Sequence, residues 1–89
     1  MKKIYKYQFS VENNFEIEIP VNAEILAIQT QNNIPCIWAL VDDYGVYEKR
    51  SFAIYGTGHK VDEKFMHNYI GTFQLLEGKF VGHLFEILK

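Results

Sequence analysis

The chain has 89 residues, enough for one domain (1–89) with a single modest core, and at that size further copies often supplement the core. Apolar residues are 48% and aromatic residues 16%, which excludes a disordered tail; seven Phe, six Tyr and one Trp exceed what so small a core encloses, so some rings are expected at an interface or ligand surface. Nine Lys plus Arg against eleven Asp plus Glu give a formal net charge of −2, which argues against long nucleic acid as a partner but leaves room for a small anion held by a local cluster of donors.

Strand patterns run nearly end to end. Ile4 to Phe9 alternates loosely and Phe15-Glu16-Ile17-Glu18-Ile19 cleanly, with Val11-Glu12-Asn13-Asn14 as a turn, predicting a first hairpin. Pro20-Val21-Asn22 breaks the pattern before Ala23 to Thr30, and Gln31-Asn32-Asn33 turns the chain into Pro35 to Val41, a second hairpin whose later strand is apolar on both faces, as in a central strand. Asp42-Asp43-Tyr44-Gly45 is the next turn. Tyr47 to Tyr55 follows, with Arg50, Phe52 and Ile54 on one face and Ser51, Ala53 and Tyr55 on the other.

Val61 to Asn68 is the one stretch with a helical reading, a short turn capped by Asp62. Tyr69 to Leu75 and Phe80 to Leu88 form a last hairpin around Glu77-Gly78-Lys79. The expected fold is all-β, or β-rich α+β with that one helical turn: a single small antiparallel sandwich or barrel of six or seven strands. Met1-Lys2-Lys3 leads into Tyr5, Lys6 and Gln8 with no apolar h-region, and no run approaches the roughly 18 apolar residues of a membrane span, so neither secretion nor membrane insertion is expected. The single Cys36, inside an apolar run, reads as a buried reduced thiol.

The chemistry concentrates in Gly56-Thr57-Gly58-His59-Lys60 at a strand end. Two glycines around a hydroxyl, then an imidazole and an ammonium, make a loop whose backbone can approach an anion while side chains add donors. The bland alternative is a turn needing positive φ, with Thr57 bonding its own backbone and His59 exposed. Nearby in sequence, Arg50 can fork onto a phosphate or form a surface ion pair with Glu48 or Asp43. Trp38 and Tyr55 can stack a base, and Trp38 can equally pack in the core. A phosphate-plus-base ligand uses all of them: Arg50, Thr57, His59 and Lys60 at phosphates, Trp38 or Tyr55 against a base. His59, His67 and His83 have no metal-ligand spacing, Thr57 beside His59 defines no catalytic dyad, and the carboxylates Glu16, Glu18, Glu24 and Glu48 are scattered. His83 beside Gly82 reads as a satisfied sheet histidine. Neither a metal, a cofactor nor an enzyme is expected.

The order Ile4-Tyr5-Lys6-Tyr7, Pro20 with Ala23-Glu24-Ile25-Leu26, Pro35-Cys36-Ile37-Trp38-Ala39-Leu40-Val41-Asp42, Lys49-Arg50-Ser51-Phe52, Tyr55-Gly56-Thr57-Gly58-His59, Tyr69-Ile70-Gly71-Thr72-Phe73-Gln74 and His83-Leu84-Phe85-Glu86 resembles a family of small proteins of tailed phages and prophages. Many members carry Pro after the loop histidine, where this chain has Lys60. The resemblance extends to phage anti-CBASS sponges, small β-rich oligomers that bind cyclic dinucleotide immune signals and withhold them from the host effector. It implies a non-catalytic protein of the host bacterial cytoplasm, a dimer or tetramer, holding a cyclic di- or trinucleotide. Two other classes stay open: a small phage protein that inhibits a host or defence protein by direct binding, for which surface aromatics and acidic faces matter more than the loop, and a hydrolase, which would turn its ligand over.

Overall fold

The computed structural model describes residues 1–88. Seven strands account for most of them: β1 (Lys3–Gln8), β2 (Asn14–Pro20), β3 (Glu24–Gln31), β4 (Ile34–Val41), β5 (Tyr47–Gly56), β6 (Met66–Leu75) and β7 (Phe80–Leu88). They form two antiparallel sheets, ordered β1-β4-β3 and β2-β5-β7-β6, packed face to face. The fold is all-β, and of the two architectures left open by the sequence it is the sandwich, not a closed barrel.

Period-two alternation decides the inward face. Phe15, Ile17 and Ile19 of β2 turn in while Glu16 and Glu18 stay exposed. Ile28, Ile37, Phe52, Ile54, Phe73 and Leu84 meet between the sheets as the main core, with a smaller cluster of Ile19, Ala23, Ala39 and Val41 beside it. β4 is the central strand of its sheet, as its two-faced apolarity predicts: Ile37, Ala39 and Val41 face the core, and on the opposite side Cys36 is a buried free thiol. The β3–β4 turn uses Asn32 and Asn33, both at positive φ, the pairing that matches the twist of a two-residue hairpin.

Two expectations are corrected. The first hairpin does not form: β1 pairs with β4 and β2 with β5, so Val11 to Asn14 carries the chain from one sheet to the other. Alternation fixes which face a strand buries and is silent on its neighbour, and a turn cluster serves a hairpin and a crossing between sheets equally. The helical turn over Val61–Asn68 is also absent. Asp62 does accept a backbone N–H, from Lys64 at 3.0 Å, but the bond closes a single Asx turn and β6 begins at Met66.

A bulge between Tyr69 and Gly71 shapes the site described next. It lets Tyr69 and Thr72, three residues apart, lie on the same outward face of β6, while Gly71 turns in where β6 approaches β3. A Cβ on Gly71 would stand 2.6 Å from Ile28 Cγ2, so only glycine permits that approach.

Candidate functional site

The outward face of the four-stranded sheet carries the rings that the core has no room for. Cross-strand register stacks Tyr55 (β5), His83 and Phe85 (β7), and His67 and Tyr69 (β6) on this face. Phe85 sits at the centre, with ring centroids 5.7 Å from Tyr55, 5.6 Å from His67 and 5.3 Å from Tyr69, and Phe65 adds an edge contact to His67 at 6.3 Å. Tyr69 and Phe65 remain 56% and 43% exposed, enough for a further ring or partner to lie against them.

Hydrogen bonds tie this face together. Tyr55 Oη lies 3.0 Å from His67 Nε2. His83 is held at both nitrogens, Nε2 at 2.8 Å from Thr57 Oγ1 and Nδ1 at 2.9 Å from Thr72 Oγ1, and Thr72 Oγ1 is 2.6 Å from Tyr69 Oη. The expected satisfied sheet histidine is thus found, with hydroxyls as its partners. Thr57 and His83 recreate a nucleophile–base contact, but the orienting group is a neutral hydroxyl where hydrolytic triads use a carboxylate.

The glycine loop folds onto the edge of this face. His59 N–H donates to the Gly56 carbonyl at 3.0 Å, and Gly58 at φ +84° completes the turn. The His59 ring lies over Gly56, 2.8 Å from where a Cβ would stand, which is why position 56 takes glycine. Thr57 N–H donates to the Val81 carbonyl at 3.4 Å. Two of the loop's N–H groups, those of Thr57 and His59, are therefore spent on carbonyls, and the side-chain donors beside them are the His59 imidazole and the Lys60 ammonium. Thr57 bonds His83 and not its own backbone, and its partner is not His59, its neighbour in sequence.

Beside the loop is a cavity of about 250 Å³ lined by Asn13, Asn14, Ile54, Tyr55, His59, Lys60 and Asp62. Asn14 also lines a second cavity of about 510 Å³, walled by Phe65, Glu16 and Ser51. The two adjoin through that asparagine, one polar, the other bounded by an exposed ring.

Of the eight residues singled out from the sequence, Tyr55, Gly56, Thr57, Gly58, His59 and Lys60 come together here. Arg50 and Trp38 do not. Arg50 shares the inward face with Phe52 and Ile54; its Nε donates to Glu86 Oε2 at 2.6 Å, its Nη2 to Glu86 Oε1 at 2.8 Å, and its Nη1 to the Ala23 carbonyl. The Glu86 carboxylate raises the guanidinium pKa, and all of Arg50's nitrogens are engaged, so the phosphate fork and the surface pair with Glu48 or Asp43 are both replaced by an interior pair. Glu48 instead accepts the Asn22 N–H, and Asp43 accepts from Tyr5, Tyr47 and Gly45 N–H. Trp38 belongs to the other sheet, half-buried under Lys6, whose Nζ is 5.9 Å from the ring centroid, and its Nε1 is buried without a partner among the described residues.

From the sequence no ligand role is expected for Phe65, Tyr69, Thr72 or Phe85, Asn13 and Asn14 read as a turn, and His67 is weighed only as a metal ligand. The signal was the i, i+2 spacing of His67–Tyr69 and His83–Phe85 across one hairpin, in register with Tyr55. Among the described residues no group of three His, Cys, Asp or Glu side chains is placed to hold a metal ion, and no helix is long and apolar enough to cross a membrane. Neither a curated protein nor a solved structure matches the chain. A family model matches residues 1–88, and by it the chain belongs to the family described as Domain of unknown function (DUF7352).

Proposed function

We propose that this domain is a non-catalytic binding protein for a small phosphorylated nucleotide, taken up on the outward face of the four-stranded sheet. The observation that carries this reading is the pair of adjoining cavities that share Asn14. The polar one offers Lys60 and His59 to a phosphate, and Asn13 and Asn14 to sugar or linkage oxygens; the larger one offers the Phe65 ring to a base. The roles drawn for Arg50 and Trp38 are withdrawn, since neither reaches this face.

In its finest form the ligand is a cyclic di- or trinucleotide immune signal, held intact and withheld from a host effector, with the protein acting as a homo-oligomer in the bacterial cytoplasm. That form rests on the resemblance to phage anti-CBASS sponges. Binding without turnover is supported by the Thr57–His83–Thr72 chain, which ends on a hydroxyl and so supplies no counter-charge for an imidazolium.

A second reading is favoured by one observation. Tyr69 and Phe65 are large, exposed and close to a packed aromatic cluster, the make-up of a protein-binding patch, which supports direct inhibition of a host or defence protein. Thermal denaturation against a panel of cyclic di- and trinucleotides, with recovery of the ligand by mass spectrometry, separates the readings. A ligand at a hundredfold excess over its Kd adds about 2.7 kcal/mol of stability and raises the midpoint by several degrees. Intact recovery supports binding, conversion makes the protein an enzyme, and no shift across the panel turns the search to protein partners.

A further inference from the structure

β1 and β2 are each an outer strand of one of the two sheets, and they lie on the same side of the sandwich. β1 bonds only β4 and β2 only β5, while β3 and β6 approach each other on the opposite side. Phe9 stacks on Phe15 at 4.6 Å and Tyr5 packs against the cluster containing Ile19, so the two strands run in opposite directions. Each presents an unpaired row of backbone N–H and C=O groups.

Their charges are segregated. Residues 1–10 hold Lys2, Lys3 and Lys6 and no acid; residues 11–20 hold Glu12, Glu16 and Glu18 and no base. Among the described residues none of these six side chains forms a salt bridge within the chain. On this side a second copy has three ways to extend the sheets: β1 on β1 sets lysine against lysine, β2 on β2 sets glutamate against glutamate, and only β1 on β2 joins opposite charges.

We propose that two copies associate about a two-fold axis parallel to the strands, β1 of each pairing antiparallel with β2 of the other. Rotation about that axis exchanges the two sheets and keeps strand direction, so β2 of one copy arrives beside β1 of the other in the antiparallel sense. Each three-stranded sheet then runs on into the other copy's four-stranded sheet. With Tyr5, Tyr7, Phe15 and Ile17 kept inward, Lys6 comes opposite the Glu16–Glu18 edge. In the single chain Lys6 Nζ rests 2.6 Å from Gln31 Oε1, a neutral amide that a carboxylate displaces. The β1 and β2 edges of both copies are then consumed, while β3 and β6, the outer strands of the other side, approach each other within each chain.

Glu16 also walls the larger cavity, but the interface is tested independently of the ligand reading: it is read by concentration without nucleotide, and either proposal can fail alone. Sedimentation velocity on the full chain should show a species of twice the 10.5 kDa protomer mass, weakened by added salt. Lys6→Glu sets a glutamate against Glu16 and Glu18, and Glu16→Lys with Glu18→Lys sets lysines against Lys6, so each variant should be monomeric alone, with an unchanged fold by NMR, and an equimolar mixture should recover the dimer. A parent chain that stays monomeric up to millimolar concentration, a parent dimer indifferent to salt, or charge variants that dimerise unmixed would each overturn the proposal.

Discussion

Arg50 and Glu86 are joined by two parallel hydrogen bonds of 2.6 and 2.8 Å between the two sheets, at the inward face of β5 and β7. The side chains are only 18% and 10% exposed, so each charge depends on the other. Removing one leaves the second desolvated and unpaired; Glu86→Gln or Arg50→Met should cost about 3–5 kcal/mol by urea denaturation. Arg50→Met with Glu86→Leu should regain most of that loss, because an apolar pair of similar volume needs no compensation. The pair also predicts that Arg50 variants report on stability and not on ligand contact.

Gly82 faces inward opposite Phe73, and a Cβ there would stand 2.7 Å from Phe73 Cζ and 3.0 Å from a Phe80 ring carbon. Gly82→Ala should destabilise by about 1–3 kcal/mol through overpacking, read as a lower denaturation midpoint with an unchanged slope.

The Tyr47–Asp43 contact predicts a pH dependence on both limbs. Asp43 is held below the usual carboxylate range, first by the Tyr47 hydroxyl and then by the Gly45 N–H, so its contribution is complete above that range and disappears as pH falls through the lowered value. The same contact pushes the Tyr47 phenol up to about 12, so its contribution is complete below the ordinary tyrosine value of 10.0 and is lost as pH rises through about 12. Tyr47→Phe should flatten both limbs of a melting-temperature profile and remove the latest-ionising step from the tyrosinate absorbance titration.

Thr57 connects the glycine loop to His83. Thr57→Val should leave global stability within about 1 kcal/mol, since the contact is exposed, while speeding hydrogen exchange of the Thr57 and His59 amides. Equal exchange in parent and variant would show that the loop is held by its backbone bonds alone.

Much of this architecture was legible in the residues. The Asn32-Asn33 and Glu77-Gly78 turns sit between strands of matched alternation, and those two hairpins form as the sequence predicts. The β1 and β2 partners were not legible, because their alternation names a face and not a neighbour. Arg50 is instructive: alternation already set it on the face of Phe52 and Ile54, and the same parity placed Glu86 with Leu84, so an interior pair was implied once the inward face was known. Thr57 and His83, 26 residues apart, meet only because β5 and β7 pair in one particular register.

The loop cluster is legible as a group, but its internal partners are not: the turn alternative gives Thr57 to its own backbone, whereas folding gives Thr57 to His83 and places the His59 ring over Gly56. The aromatic face was signalled by the surplus of rings in the composition, and its location required the register.

The central claim, a nucleotide held between the glycine loop and Phe65, is tested most directly by amide chemical-shift mapping during titration with the cyclic nucleotide that most raises the melting temperature. The account predicts perturbations at Asn13, Asn14, Tyr55, His59, Lys60 and Phe65, lost in His59→Ala and Lys60→Ala variants of unchanged melting temperature and retained in Trp38→Phe. Perturbations confined to the Trp38 face of the other sheet, or none at saturating ligand, would contradict it.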